Sequence, residues 1–188
     1  MSDEKNKNLP KTTRIAILGA GMAGLCMAIK LRAKGIDDFI VLEKAGEVGG
    51  TWRENTYPGI ACDVPSHVYS FSFALNPNWS QGYSGGGEIQ HYCKSLVDNF
   101  ELASHIHYNC HVEHLEQKAG KWHVQLNDDI EVIADVVING LGGLHVPQYL
   151  DVEGLESFKG ATFHTAQWQH DCDLTGKRVA IVGTGASA

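Results

Sequence analysis

The stretch Arg14-Ile-Ala-Ile-Leu-Gly19-Ala-Gly21-Met-Ala-Gly24 decides the fold of this chain. Residues 14–18 form a short apolar run, partly β-branched, that stops at a glycine, as a buried parallel strand does. The spacing G-x-G-x-x-G follows. Its glycines permit a tight turn, close approach of a pyrophosphate to backbone N–H groups, and close packing of helix on strand. The stretch therefore predicts a strand, a phosphate-binding turn and the start of a helix.

The residues after this turn complete a βαβ unit. Residues 25–34 are helix formers with apolar positions on one face, and Gly35 follows where a helix would end. Residues 39–42 predict a second buried strand, joined to the first by a right-handed crossover. Glu43 ends that strand, where a carboxylate accepts hydrogen bonds from ribose hydroxyls and repels a 2′-phosphate. The first site therefore suits FAD or NAD and disfavours NADP; the alternative is a plain strand-helix turn beside a surface charge.

The rest of the chain predicts a mixed α/β architecture. Residues 43–87 are rich in glycine, proline and aromatic residues without a sustained period, and a segment of this length is expected to line a site. Residues 88–102 have helical spacing. A three-stranded β-meander is predicted from three segments, residues 106–115, 121–126 and 130–138. Residues 178–182 predict a further strand that runs into a second G-x-G turn.

Length sets the domain organisation that we expect. A chain of 188 residues is long enough for one α/β domain with a sizeable core and too short for two complete ones. We predict a flexible tail over residues 1–13, the N-terminal part of a Rossmann-like domain over residues 14–145, and a linker with the start of a second Rossmann-like domain over residues 146–188. The second domain would be truncated.

Charge and hydropathy exclude several classes of partner. The net charge is −7 and no short segment is rich in lysine and arginine, so nucleic acid and anionic membrane surfaces are not expected to bind. The apolar stretch over residues 15–29 is shorter than the roughly 20 residues of a membrane span and contains glycines. The first residues lack the apolar centre of a signal peptide. We expect a cytoplasmic protein whose oligomeric state the sequence leaves open.

Cysteine and histidine spacing does not predict a metal or redox centre. The five cysteines contain no C-x-x-C pair, which argues against a zinc site and against a disulfide reductase. Four histidines lie close together along the chain, and alternate residues of a strand share a face. One of them breaks that alternation, and no carboxylate or cysteine completes a recognised ligand spacing. The four histidines are His105, His107, His111 and His114, and His114 is the one that breaks the alternation.

Three motifs in order resemble class B flavoprotein monooxygenases. The first is the glycine turn. The segment Gly49-Gly-Thr-Trp52-Arg-Glu-Asn55, with the later Tyr57-Pro-Gly59, Cys62-Asp63, Pro65-Ser66 and Tyr69-Ser-Phe-Ser-Phe73, is similar to the region after the FAD ribose acid in that family. The second motif is Phe158-Lys-Gly160-Ala-Thr-Phe-His164-Thr-Ala-Gln-Trp168. It matches the Baeyer–Villiger fingerprint F-x-G-x-x-x-H-x-x-x-W.

The end of the fingerprint distinguishes branches of the family. Related N- and S-oxygenating enzymes usually carry Phe or Tyr followed by Lys at this point, so Trp168 favours the Baeyer–Villiger branch. The third motif, Gly183-x-Gly185-x-x-Ala188, resembles the NADP-binding turn of both branches. Two departures are present: Gln169 stands where Pro or Asp is usual, and Ile138-Asn139-Gly140 replaces the usual small-residue run.

The resemblance implies roles for individual residues. For FAD it implies Gly19, Gly21 and Gly24 at the pyrophosphate, Glu43 at the ribose, Thr51, Trp52 and Arg53 along the flavin, Asp63 near the flavin and nicotinamide, Tyr69 bordering FAD, and backbone of Val112 at the adenine. For NADPH it implies Gly183, Thr184, Gly185 and Ser187. Asp63 is the one candidate for a catalytic role. The family's fingerprint histidine, here His164, serves the linker between domains rather than proton transfer.

The implied activity is that of an FAD- and NADPH-dependent monooxygenase. By resemblance, NADPH reduces FAD, and O2 then gives a C4a-peroxyflavin that converts a ketone to an ester or lactone; the cofactor carries this chemistry. The arginine that assists in this family lies beyond residue 188. We therefore expect the 188-residue chain alone to be inactive. The alternatives are an N- or S-oxygenating flavin monooxygenase and a non-catalytic nucleotide-binding fragment.

Overall fold

The computed structural model describes residues 9–143 and 145–185. The described residues form two compact units: one from residues 9–50 and 90–142, the other from residues 51–89, 143 and 145–185. The sequence-based boundary at residue 145 lies near the break after residue 142. However, the structure also places residues 51–89 in the second unit, which the sequence did not predict.

The first unit contains a mixed sheet of six strands in the order β3-β2-β1-β6-β5-β4. The strands are β1 Thr12–Leu18, β2 Phe39–Glu43, β3 Ile106–Tyr108, β4 Val112–Lys118, β5 Lys121–Leu126 and β6 Glu131–Asn139. β1 pairs in parallel with β2 and β6, and β2 pairs in parallel with β3. β4, β5 and β6 are antiparallel neighbours. The predicted α/β class with a βαβ unit and a meander is confirmed. Thr12 and Thr13, expected in the tail, begin β1.

The described residues form three α-helices: α1 Met22–Ala33, α2 Thr51–Glu54 and α3 Gly86–Asn99. α1 starts three residues before its predicted start because Gly21 is already its N-cap. It stops where Gly35 takes a φ of 70°, the left-handed conformation that glycine adopts without strain. α3 ends before its predicted end because Glu101 has a φ of 52° and the Leu102 amide bonds back to the Val97 carbonyl.

The parallel strands are buried on both faces. Ala16, Leu18, Ile40 and Leu42 belong to a core cluster with buried side chains of the meander, Val124, Leu126, Val132 and Ala134. The alternate residues of β1 and β2 point to the opposite face, where a Cβ on Gly24 of α1 would lie 3.5 Å from Ile17. Burial on two faces explains why β1 and β2 are almost continuously apolar.

The prediction of one strand over residues 106–115 was wrong. The structure divides this segment into β3 and β4, which lie at opposite edges of the sheet. Asn109 separates them with a φ of 59°, which ends the extended conformation. Four residue steps from Tyr108 to Val112 span at most about 15 Å, whereas five strand spacings in a flat sheet would need about 24 Å. The sheet therefore curls, and the meander covers one face of the parallel strands.

The second unit is built from turns and short helical segments. Its interior includes Ser66 and Ser84, both essentially buried, whose hydroxyl oxygens are 2.7 Å apart. The Ser66 hydroxyl also donates to the Gln81 carbonyl at 2.7 Å. These bonds join the two ends of the segment over residues 66–84. The ends of this loop are therefore held together although the loop has little regular structure.

The strand predicted over residues 178–182 is not formed within the described part of the chain. Val179, Ile181 and Val182 are 55%, 66% and 72% exposed, respectively. An isolated apolar segment cannot form a stable strand, because its backbone groups need a neighbouring strand as hydrogen-bonding partner. No described strand lies beside it.

Candidate functional site

The glycine turn after β1 is packed too closely for side chains. Gly19 has a φ of 90°, and its amide donates to the Leu42 carbonyl at 2.8 Å. A Cβ on Gly24 would lie 1.9 Å from the Gly19 carbonyl oxygen, well inside any contact distance. Gly24 therefore allows α1 to begin directly against the end of β1, as the motif requires.

Three further glycines line this turn that sequence reasoning did not assign to the site. The Gly140 amide donates to the Leu18 carbonyl at 2.9 Å, and the Gly49 amide donates to the Ala20 carbonyl at 3.1 Å. A Cβ on Gly50 would lie 3.2 Å from Cα of Gly21. The sequence contains a signal for each of them. Gly140 comes immediately after a predicted strand, and Gly49 and Gly50 form a glycine pair directly before Thr51.

The N-terminus of α1 is suited to an anion. Gly21 is its N-cap, no side chain caps it, and its first turn contains no acidic residue. The first amides of a helix have no partner within the helix, and the helix dipole gives them partial positive charge. Backbone N–H groups in this arrangement form a binding site for phosphate. The residues present therefore fit the pyrophosphate of a dinucleotide.

Glu43 lies at the same turn, where the motif places the ribose acid. Its side chain is 3% exposed. Oε2 accepts a hydrogen bond of 2.8 Å from the Ala20 amide, and Oε1 accepts one of 2.9 Å from the Ala45 amide. Such bonds to a buried carboxylate offset the cost of removing it from water. The carboxylate is thus fixed beside the glycine turn and is not a surface charge.

Val112 stands at the start of β4, half-buried against the core cluster. The register between β4 and β5 shifts between Val112 and His114. Val112 itself pairs with Leu126, so the irregularity lies next to Val112, and β-bulges of this kind are common near binding sites. The backbone role that the resemblance implies for Val112 is compatible with this position and remains a prediction.

The second unit carries the residues expected along the flavin. The Trp52 indole donates to the Tyr69 hydroxyl at 3.0 Å, and the two rings meet edge to face with centroids 5.6 Å apart. Arg53 and Glu54 form an ion pair of 2.8 Å with side chains 12% and 21% exposed. Thr51 and Asp63 are exposed. The structure therefore brings Trp52 and Tyr69 into direct contact.

The fingerprint residues pack against each other locally. A Cβ on Gly160 would lie 2.6 Å from the Phe158 ring, so the aromatic ring occupies the space that a side chain at residue 160 would need. Phe163 and Trp168 meet edge to face with centroids 5.1 Å apart. His164 accepts a hydrogen bond of 3.0 Å from the Ala166 amide through Nδ1. His164 thus caps a short turn, which gives it a structural role at this point.

The predicted NADPH turn is only partly described. Gly183, Thr184 and Gly185 are exposed, and Gly183 has a φ of 131°. Ser187 and Ala188 lie outside the described residues. Because residues 178–182 form no strand here, the turn lacks the strand that would position it.

The clustered histidines have structural surroundings. His105 stacks on Phe39 with ring centroids 4.2 Å apart, and its Nδ1 lies 3.1 Å from the Phe39 carbonyl. Burial, and to a lesser extent the charge of His105, lower the pKa of His107. Among the described residues, no three His, Cys, Asp or Glu side chains are arranged to hold a metal ion.

The buried cysteines are poor nucleophiles. Burial raises the pKa of Cys93 to about 12 and that of Cys110 to about 11. A thiol must lose its proton to react as a nucleophile. Neither residue is therefore a candidate for thiol chemistry near neutral pH.

The helices within the described ranges are too short or too polar to cross a bilayer.

Comparison with known proteins agrees with this geometry. The family model described as pyridine nucleotide-disulphide oxidoreductase matches residues 16–188. A Baeyer-Villiger monooxygenase of Streptomyces coelicolor is 46% identical over 190 residues, which cover 98% of this chain and 36% of the relative. The chain thus spans about a third of the length of this curated relative.

Two solved structures have a similar fold over most of this chain. A cyclohexanone monooxygenase bound to ε-caprolactone superposes with a TM-score of 0.84 at 33% identity, covering 94% of this chain and 36% of the other. The structure of OTEMO in complex with FAD and NADP gives a TM-score of 0.83 at 30% identity, covering 93% of this chain and 35% of the other.

Proposed function

Because the chain belongs to the pyridine nucleotide-disulphide oxidoreductase family, we propose that it forms the FAD-holding portion of an NADPH-dependent Baeyer–Villiger monooxygenase. The whole protein would oxidise a ketone to an ester or lactone with O2. This proposal rests on the glycine turn, on the fingerprint around His164, and on 46% identity to a protein named for that activity.

One observation carries the cofactor assignment. The buried Glu43 carboxylate accepts a hydrogen bond of 2.8 Å from Ala20, within the turn whose helix amides suit a pyrophosphate. Carboxylate and amides thus belong to the same turn, which supports a site for the adenosine diphosphate part of a dinucleotide. A carboxylate accepts several hydrogen bonds, and Glu43 would orient the ribose hydroxyls in addition to binding the Ala20 and Ala45 amides. Its charge disfavours a 2′-phosphate, which selects FAD over NADP at this site.

The division of labour between cofactor and chain follows from this site. Bound FAD would supply the redox chemistry between NADPH and O2. Gly21 and the first amides of α1 would bind the pyrophosphate, and Glu43 would orient the adenosine ribose. These interactions would determine affinity and position rather than proton transfer.

The remaining site residues are proposed from the resemblance. We assign Thr51, Trp52, Arg53, Asp63 and Tyr69 to the flavin and Val112 to the adenine. Gly183, Thr184, Gly185 and Ser187 are assigned to NADPH. The bond from Trp52 to Tyr69 supports a rigid aromatic wall, since an indole N–H can only donate and so fixes the acceptor role of the phenol oxygen. Asp63 remains the proposed catalytic candidate.

Baeyer–Villiger oxidation is favoured over N- or S-oxygenation by the end of the fingerprint. The motif ends here in Trp168 and Gln169, whereas the N- and S-oxygenating enzymes usually carry Phe or Tyr followed by Lys, and Trp168 packs edge to face on Phe163.

Cofactor binding is tested by titrating the purified protein with FAD. We expect quenching of flavin fluorescence with one equivalent bound, competed by ADP but only weakly by adenosine 2′,5′-bisphosphate. Equal competition by both nucleotides would contradict the role of Glu43. No binding of either FAD or ADP would overturn the assignment of the site.

The reaction is tested separately with the whole protein. NADPH oxidation coupled to O2 uptake is followed with a cyclic ketone, a thioether and a tertiary amine, and products are identified by mass spectrometry. We expect lactone as the main product. Oxygenation of the thioether or amine with no lactone would assign the protein to the other branch.

A further inference from the structure

We propose that Asn109 is a positioning residue for the nucleotide site: its left-handed backbone holds Ala45, and Ala45 in turn fixes the Glu43 carboxylate. Asn109 is exposed and lies between β3 and β4. It belongs to none of the three motifs that identify the site. The inference rests on the proposed function, because nucleotide binding is its readout.

A continuous set of hydrogen bonds links Asn109 to the glycine turn. The Asn109 amide donates to the Ala45 carbonyl at 3.0 Å, and the next amide, that of Cys110, donates to the Glu43 carbonyl at 2.9 Å. The Ala45 amide donates to Glu43 Oε1 at 2.9 Å. The Cys110 amide therefore holds the backbone of Glu43, and the Asn109 amide holds Ala45, which in turn binds the Glu43 side chain.

This arrangement depends on the conformation of one residue. Glu43 and Tyr108 are register partners in the parallel pair β2 and β3. A continued strand would carry residue 109 past the end of β2. With a φ of 59° at Asn109, the chain instead turns, and two successive amides face residues 43 and 45. Asparagine adopts this region more readily than other side chains except glycine, whereas a β-branched residue there is strained.

Packing does not explain the choice of residue. The Asn109 side chain is exposed, and its Oδ1 would be 3.9 Å from a Cβ at Gly46. Its effect on the site therefore comes from backbone conformation. This distinction predicts that glycine, which lacks a side chain but adopts positive φ, replaces asparagine without loss of binding, whereas valine does not.

The test compares Asn109→Val, Asn109→Gly and a matched control, Ala119→Val. Ala119 is also exposed and has a φ of 48°, but it lies in the turn between β4 and β5. Valine at either position meets the same backbone strain, so both variants should lose similar melting temperature. We expect Asn109→Val to weaken binding of FAD and of ADP about tenfold, with Asn109→Gly and Ala119→Val each within about threefold of the parent.

A double-mutant cycle checks that the effect passes through Glu43. In a Glu43→Gln background, Asn109→Val should weaken ADP binding by less than about a further twofold, because the carboxylate that Asn109 positions is gone. If Asn109→Val does not fold, Asn109→Ala imposes a milder backbone strain. Asn109→Ala should still weaken ADP binding measurably, whereas Ala119→Val should not.

The outcomes separate the two proposals. Equal nucleotide affinity for Asn109→Val and Ala119→Val overturns the role of Asn109 and leaves the nucleotide site intact. Full additivity with Glu43→Gln also overturns it, since Asn109 would then act by another route. A parent protein that binds neither FAD nor ADP overturns the proposed function itself.

Discussion

The Ala20 amide donates a hydrogen bond of 2.8 Å to Oε2 of Glu43, joining the turn after β1 to the end of β2. The two residues are 23 positions apart in the chain, and the bond is buried. It couples the geometry of the phosphate-binding turn to that of the ribose acid, so that a change in either residue should affect both folding and nucleotide affinity.

Glu43→Gln should lower both stability and affinity. An amide side chain keeps only one acceptor oxygen, so one of the two backbone N–H groups that the carboxylate binds would face an NH2 group. We expect a loss of about 1–3 kcal/mol in the free energy of unfolding, measured by urea titration. ADP affinity, measured by calorimetry, should fall about tenfold.

A surface acid provides the control for this substitution. Glu153 is exposed, and Glu153→Gln changes net charge by the same amount. It should leave both quantities unchanged. Undiminished ADP affinity in Glu43→Gln would contradict the ribose assignment.

Gly24→Ala should disrupt the start of α1. The added Cβ would lie 1.9 Å from the Gly19 carbonyl oxygen, which is backbone and cannot rotate away. The helix would have to move off the strand, at a cost of about 3 kcal/mol or more. Thermal unfolding followed by circular dichroism measures the change.

Gly82→Ala is the matched glycine control. Nothing lies within 4 Å of a Cβ built at Gly82, so its effect should stay within about 0.5 kcal/mol. Similar losses of stability for Gly24→Ala and Gly82→Ala would contradict the close packing of Gly24 against Gly19.

Thiol labelling should divide the cysteines by burial. Cys93 and Cys110 are 0% and 1% exposed, with pKa values raised by burial to about 12 and about 11, respectively. Cys26 and Cys172 are partly exposed. With iodoacetamide at pH 8, mass spectrometry should detect label first on the partly exposed pair, and on Cys93 and Cys110 only after denaturation. Early labelling of Cys93 would contradict the packing of α3.

Stability should depend on pH through His107. Burial first, and the charge of His105 second, lower the pKa of His107 from its ordinary 6.5. Between the lowered value and 6.5 the unfolded chain holds more protons than the folded one. The free energy of unfolding therefore rises with pH across that window. The contribution of His107 to stability is lost as the pH falls through the same window.

His107→Asn should remove this contribution. The variant should show a shallower fall in stability between pH 7 and pH 5, measured by urea titration at each pH. His91→Asn, at an exposed position of α3, is the control and should keep the slope of the parent. A parent slope retained in His107→Asn would show that other groups account for it.

Local sequence signals predicted most of the sheet. Residues 14–18 and 39–42 read as buried strands because β1 and β2 are covered on both faces, and a strand covered on both faces needs apolar residues throughout. β5 matched its prediction residue for residue. By contrast, the strand over residues 106–115 was wrong, because the apolar pattern continues across Asn109 while the backbone does not. Periodicity reports which residues are buried, not where the chain reverses.

The candidate site divides in the same way. The sequence by itself determined the glycine turn, the acid at Glu43 and the fingerprint around His164, because each depends on spacing between residues close along the chain. Only the tertiary structure decided that Gly140 and Gly50 lie against this turn and that the amides of residues 109 and 110 bond to Ala45 and Glu43. Their contacts join segments that are distant in the sequence, and such contacts form when strands and loops pack together. A local pattern can indicate a glycine at a turn, but it does not identify the distant residue that the glycine contacts.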